Sequence, residues 1–288
     1  MDLRWEAGRM QLFGIRTKLI EPGEDLVSVI LDAIHTQQLA IEDGDVLIIA
    51  SKAVAVVQGR IVKLSSMKTS EEAKKLAEKY NMEPSYVEVV LQEAQKVYGG
   101  VSKALLTLKN NVLTPNAGAD HKNAPKGCVV LWPENPHEVA EEIRREILKR
   151  TGKRLGVLIV DSRVTPLRMG TTGVAIGIAG LEPVRDCRGV KDLYGKPLIM
   201  TRHALADDLA SAAHLVMGEV GERIPAVLVR DAPVNLSEKV DPSSVVIPAE
   251  ECLFMNLITQ NCRTPPKTIT TNPSDVSSNK STKSTRAD

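Results

Sequence analysis

The sequence is short of aromatic residues. Phe, Trp and Tyr make up 3% of 288 residues. The core therefore has to be built from Val, Ile, Leu and Ala, and a nucleic-acid surface that works by stacking bases on aromatic rings has little to draw on. Cysteine is scarce too: Cys128, Cys187, Cys252 and Cys262 are far apart and none forms a CxxC pair, which argues against a disulfide framework and a zinc ribbon. The five histidines (His35, His121, His137, His203 and His214) show neither HxxxH nor HExxH spacing. Any bound metal should then have oxygen ligands, which suit Mg or Mn better than Zn. The formal net charge is only +1, with no long basic run before the tail, so the electrostatic footprint of a DNA- or RNA-binding protein is missing. No apolar run is long enough to span a bilayer, and no leader-like segment is evident. The expectation is a cytoplasmic protein without a nucleic-acid or membrane partner. There is no GxxxxGK[ST], which excludes a P-loop.

Turning to what is present, residues 1–9 read as a loose extension, and Met10 opens a segment with strand character. Residues 263–288 are rich in Ser, Thr, Pro and Lys and read as a disordered tail. Between them lies a folded region, residues 10–262, of one or two subdomains. ILDAIHTQQL reads as a helix with Val29, Ile30 and Ile34 inward, followed by the buried run Val46–Ala50 with Ser51 and Lys52 at its exit. Thr69 with Glu72, and Ser85 with Glu88, have capping-box spacing; the second helix is expected to run on to Tyr98 and stop at Gly99 and Gly100. VSKALLTLKN, NVLTPN and CVVLW read as strands. Residues 135–150 form the clearest helix, with Val139, Ile143 and Ile147 on one face and Gly152 following. GVLIV (156–160) is a strand buried on both faces, and GVAIGIAGL is another, with glycines where a neighbour comes close. Residues 203–217 read as a helix with Leu205, Leu209, Ala213 and Val216 inward, and AVLVR as a last strand. Strands and helices mix without a regular βαβ beat, which favours an α+β fold over a doubly wound sheet.

Two loop-borne acids stand out. Asp161 ends the apolar strand, where a carboxylate can be held facing a cleft as metal ligand or base; the blander reading is a turn cap. The following run, Ser162 to Gly173, holds Arg163, Arg168, hydroxyls and glycines, which resembles an anion cradle for phosphate or carboxylate. Asp120 lies in TPNAGADHKN, where Gly118 lets backbone approach a ligand closely and Asn116 and Asn123 add oxygens; a plain polar turn is equally compatible. Two acids on separate loops are a common way to hold divalent ions against phosphates. Glu219, after the helix stop at Gly218, would be a third oxygen ligand or merely a solvated acid. His121 and His203 read as structural or exposed. Asp207 and Asp208 read as a solvated helix face.

Six segments occur in order: EDGDVLIIASK, TPNAGADHKN, RTGKRLGVLIVDS, GVAIGIAG, GVKDLYGKPL and MGEVGERIPAVLVR. With these the chain resembles the coenzyme F420-0:L-glutamate ligase family (the CofE type) from about Leu12 to Ala232. The resemblance implies a mixed-sheet α+β fold and an intertwined homodimer. It implies ligation of L-glutamate to F420-0 with GTP, with a second glutamate added through the γ-carboxyl, at a site using Mg2+ or Mn2+ with K+ assisting. Carried over residue by residue, Asp120, Asp161, Ser162 and Glu219 match metal ligands. Thr17, Lys18, Leu19 and Ile20 match one nucleotide-contacting stretch, Ser51 and Lys52 another, and Asn123 a further contact. The loop Met217, Gly218, Glu219, Val220, Gly221, Glu222, Arg223 and Ile224 matches a third. Arg163 or Arg168 is expected to steady phosphate or a substrate carboxylate during transfer. The chain departs from the family where SK-x-x-SK-x-EG becomes SKAVAVVQG, with Val56 at a lysine position, and where Ser-Arg-Val-Thr-Pro follows Asp161. A related ligase with another acceptor or amino acid, and a nucleotide-binding relative without catalysis, are the alternative readings.

Overall fold

The computed structural model describes residues 9–261. The expected loose extension, Arg9 apart, and the expected disordered tail lie outside the described residues. In chain order the elements are β1 (Gln11–Ile15), α1 (Leu26–Thr36), β2 (Val46–Ala50), α2 (Ser51–Val57), β3 (Ile61–Lys63), α3 (Glu71–Tyr80), α4 (Pro84–Glu93), β4 (Lys96–Val101), β5 (Ala104–Lys109), β6 (Val112–Pro115), β7 (Cys128–Val130) and α5 (Pro136–Thr151). They continue with β8 (Gly156–Val164), β9 (Thr171–Ala179), β10 (Arg185–Asp186), β11 (Arg202–His203), α6 (Leu205–Met217), β12 (Ala226–Arg230) and α7 (Leu253–Asn261). Residues up to Val245 form one compact unit; a second begins at Val246, and its described part holds α7. Among the described residues no helix is long and apolar enough to cross a membrane.

The first unit is built on a five-stranded sheet of order β1-β12-β2-β8-β9. Only β2 and β8 pair in parallel; the other neighbours are antiparallel. This is the mixed α+β arrangement expected. Alternation of side chains along each strand divides the core. Leu47, Ile49, Val157, Ile159 and Leu228 face α1, α2 and α5, whereas Val46, Ile48, Leu158, Val227 and Val229 face α6. Each large aliphatic side chain so buried contributes about 1.5–3 kcal/mol. Two glycines of β9 allow the helices to press on it: a Cβ at Gly173 would overlap the Ala210 backbone of α6, and one at Gly177 the Pro136 carbonyl of α5. A third cluster, with Val87 and Val90 of α4, Leu105 of β5 and Ala119, sits beside the sheet β4-β5-β6.

Several local expectations change. Asp161, Ser162 and Arg163 are not on a loop. β8 continues to Val164 because the residues past Val160 keep pairing with β9, Asp161 opposite Val174 and Ser162 opposite Gly173. Ser51 and Lys52 form the first turn of α2. Ser70, not Thr69, caps α3 by accepting from the Ala73 N–H. Glu88 does not cap its own helix with Ser85: its carboxylate accepts from the N–H and Oγ of Ser70, tying α4 to α3. α4 starts at Pro84 and ends at Glu93, because Ala94 turns extended and residues from Lys96 pair with β5.

Candidate active site

Two cavities lie near the residues singled out by sequence. The smaller, ≈ 170 Å³, is lined by Ser51, Lys52, Asp120, Asp161, Ser162 and Arg163 among others. Elements from distant parts of the chain build it. The β2–α2 junction supplies Ser51 and Lys52. Asp120 is held by a two-way backbone pairing with Val130 at 2.9 Å in each direction, and β8 supplies Asp161 to Arg163. Asp120 and Asp161 therefore share one space.

Asp120 accepts from the Lys52 ammonium at 2.6 Å and from the Lys122 N–H at 2.8 Å, and Lys52 also donates to the Lys122 carbonyl at 2.6 Å. Lys52 is thus directed onto an acid, while Val56 lies further along α2, half-buried. Asp161 accepts from the indole N–H of Trp132. Burial pushes the Asp161 carboxyl up; the Trp132 N–H, the Ser162 N–H, Lys52 and the Ser51 hydroxyl pull the other way without cancelling it. A half-buried carboxylate raised by desolvation gains from a nearby cation.

Glu219 faces other partners. It accepts from Lys122 at 2.7 Å and from the Thr171 hydroxyl at 2.7 Å, and lies 2.6 Å from His214 Nε2. Burial opposes ionisation, but Lys122, Thr171 and His214 hold the carboxyl at about 2. Lys122 joins the two halves, since it lines the small cavity and binds Glu219. The loop 217–224 is pinned on both sides. Asn123 donates to the Val220 carbonyl at 2.6 Å, and the Arg223 carbonyl accepts from the Thr17 N–H at 3.2 Å. Within the loop, Glu222 accepts from the Val220 N–H at 2.9 Å, and Gly218 (φ 74) leaves room for the Glu222 carboxyl.

The larger cavity, ≈ 480 Å³, lies between the end of β1 and α1, and Thr17 and Lys18 help to line it. Leu19 is exposed, and Ile20 packs against the main core. The Arg163 guanidinium lies 3.4 Å from Asp207, and its Nε is buried without a hydrogen-bond partner. Arg168 stands exposed in the turn between β8 and β9. Of the two arginines, only Arg163 faces the small cavity.

Among the described residues, no three His, Cys, Asp or Glu side chains stand together as a metal-holding group. Asp120, Asp161 and Ser162 share the cavity, and Glu219 is linked to it through Thr171 and Lys122. The donor chemistry nonetheless fits a hard divalent ion, because the carboxylates and the hydroxyl are all oxygen donors. The ammonium groups of Lys52 and Lys122 already sit on two of the acids, showing that these positions accept positive charge.

Some participants were missed. Trp132 and His214 lie outside every site motif, and Lys122 and Thr171, though inside TPNAGADHKN and the run after Asp161, carry no spacing that marks them as partners of Glu219. Trp132 carried one signal, being one of two tryptophans in the chain, and a buried indole N–H requires an acceptor. Gly118 makes room for the protein itself rather than for a ligand, since a Cβ there would overlap the Trp132 indole. Asp207 is not simply solvated, since it accepts from the Ala175 N–H at 3.0 Å as well as facing Arg163. His121 stacks tilted against Tyr86, with ring centroids 4.3 Å apart, and His203 pairs with Asp208 at 2.7 Å.

Known proteins share this sequence at length. A protein named coenzyme F420:L-glutamate ligase from Methanocaldococcus jannaschii is 38% identical over 252 residues, 87% of this chain and 99% of that relative. Proteins of the same name from Methanopyrus kandleri and Archaeoglobus fulgidus are 40% and 39% identical, over 77% of this chain and 87% and 88% of their own lengths. The family model described as F420-0:Gamma-glutamyl ligase matches residues 14–231, a span that takes in both cavities and all three acids. The chain belongs to the F420-0:gamma-glutamyl ligase family.

Proposed function

We propose that this chain joins L-glutamate to coenzyme F420-0 through an amide bond at the expense of GTP, and can add a second glutamate through the γ-carboxyl of the first. The observation that carries the reading is the meeting of Asp120 and Asp161 in one cavity with Lys52 and Arg163, in a chain of this family. A carboxylate is a poor electrophile, so amide formation needs activation. Transfer of the γ-phosphoryl group to the acceptor carboxylate gives an acyl phosphate and GDP. The glutamate amine then attacks the acyl carbon, the C–O bond to phosphate breaks, and the amine loses a proton as phosphate departs. The chain has to position the reactants and offset the charge on the phosphoryl oxygens. Mg2+ or Mn2+ held by Asp120, Asp161 and Ser162, with Glu219 nearby and K+ assisting, would supply the main positive charge. Arg163, with a free Nε–H, is placed to bind phosphate or the acceptor's carboxylate. Arg168 is the weaker candidate because it is exposed. The ≈ 170 Å³ cavity suits a phosphoryl group and ions rather than a whole nucleotide. The loop 217–224, tied to both Thr17 and Asn123, would contact the rest of the nucleotide. Incubation with F420-0, L-glutamate, GTP and Mn2+ should give glutamylated F420 by mass spectrometry and one GDP for each glutamate added. GDP without glutamylated product would point to another acceptor, and neither product would leave a binding protein without catalysis.

A further inference from the structure

We propose that Trp132 is a positioning residue of this site: its indole N–H holds the Asp161 carboxylate in the orientation in which it takes a divalent cation. The inference rests on the reading of Asp161 as a cation ligand. Trp132 is 1% exposed, and its Nε1 donates to Asp161 Oδ2. An indole N–H can only donate, so it can neither ligate a cation nor accept a proton; its effect on Asp161 is to fix one carboxylate oxygen and so the plane of the group.

The indole is itself held from several sides. Gly118, at φ +72, lies against it so closely that any Cβ would overlap the ring. The Lys109 ammonium lies 5.8 Å from the ring centroid and is paired with Glu93. Glu93 also binds Arg60 at 2.8 Å, and Arg60 Nε donates to the Trp132 carbonyl at 3.2 Å. Lys109 is 9% exposed and Glu93 17%. A largely buried charge cluster of this kind is costly to assemble, and here it meets both the ring and the backbone of the residue whose indole N–H binds Asp161. Simple core filling needs neither the cluster nor an acceptor that faces the cavity.

Mn2+ alone is the probe. Trp132→Phe keeps an aromatic ring in place and deletes the N–H, and should weaken Mn2+ binding, read by calorimetry, by about tenfold or more, as loss of a group that orients a metal ligand does. Asp161→Asn should weaken it further. Unchanged Mn2+ affinity in Trp132→Phe, with Asp161→Asn impaired, overturns the positioning role alone. Unchanged affinity in Asp161→Asn overturns the cation-ligand reading on which it rests. A second measurement does not depend on Trp132→Phe folding. In Trp5→Phe, Trp132 is the sole indole, and its fluorescence should be quenched saturably by paramagnetic Mn2+. That quenching should vanish when Asp161→Asn is added. No quenching at saturating Mn2+, or quenching that survives Asp161→Asn, overturns the proposal.

Discussion

Asp120, Asp161 and Glu219 are held in different ways. Asp120 is salt-bridged by Lys52, Glu219 is bound by Lys122, Thr171 and His214, and Asp161 is half-buried with an indole N–H on one oxygen. Asp161 is thus the carboxylate whose charge is least compensated, and burial raises its carboxyl. A bound cation should matter most there. Asp161→Asn keeps the shape and removes the charge, so turnover should fall by on the order of 100-fold or more, while the melting temperature without metal stays close to wild type. Near-normal ligation by this variant would remove Asp161 from the reaction. Arg163 makes a second case at this scale. Its Nε is buried and unpartnered, so Arg163→Lys, which cannot present the same fork of donors, should raise KM for the phosphate- or carboxylate-bearing substrate about tenfold, with folding unchanged. Equal kinetics in Arg163→Lys would place that substrate elsewhere. Both residues were legible in the sequence as charged side chains after an apolar strand. Trp132 was not legible as a partner, because a hydrogen bond between residues 29 positions apart leaves no trace in local spacing.

At the scale of elements, the apolar runs were readable because burial on both faces leaves a continuous hydrophobic stretch; β2 and the first half of β8 show it. Ends were harder. The sequence could not show that β8 runs on past Asp161, since that depends on β9 returning alongside it. Nor could it show that Glu88 would serve Ser70 of a neighbouring helix, because a capping pattern does not say which helix its acid will serve. The start of α1 offers a clean test of local energetics. Asp25 caps α1 by accepting from Ser28 N–H and Oγ, and it binds Arg150 of α5 at 2.7 Å. Arg150 first, then Ser28, lower its carboxyl to about 2, from 3.8. A carboxyl depressed in the folded state stabilises above its unfolded value, and that stabilisation is lost as pH falls from about 4 towards about 2. Asp25→Ala should therefore cost about 1 kcal/mol at pH 7, the usual cost of losing an N-cap, and the gap to wild type should close by pH 2. A constant gap in urea melts from pH 7 to pH 2 would show that ionisation of Asp25 contributes nothing.

At the scale of the whole molecule, what remains uncovered matters most. Between β10 and β11 the chain forms a projecting hairpin. Lys191 bridges Pro197, and Asp192 accepts from the N–H groups of Tyr194 and Lys196 at 2.9 Å, so the tip is ordered by its own hydrogen bonds. This arm nevertheless carries Leu193, Tyr194, Ile199 and Met200 almost fully exposed, and the β8–β9 turn exposes Leu167 and Met169 in the same way. Six large apolar side chains on two projections are more than a monomer's surface usually leaves in water. Covering each stabilises by about 1.5–3 kcal/mol. We propose that a second copy of the chain covers these side chains, as the intertwined homodimer implied by the resemblance would. Light scattering coupled to size-exclusion chromatography should give the mass of two chains. Leu193→Glu combined with Ile199→Glu, which places charges on the arm without touching any residue that lines the small cavity, should shift the mass to one chain while the circular dichroism spectrum is retained. A wild-type protein that runs as one chain at micromolar concentration, or a double variant that stays dimeric, would show that the arm is not the dimer contact.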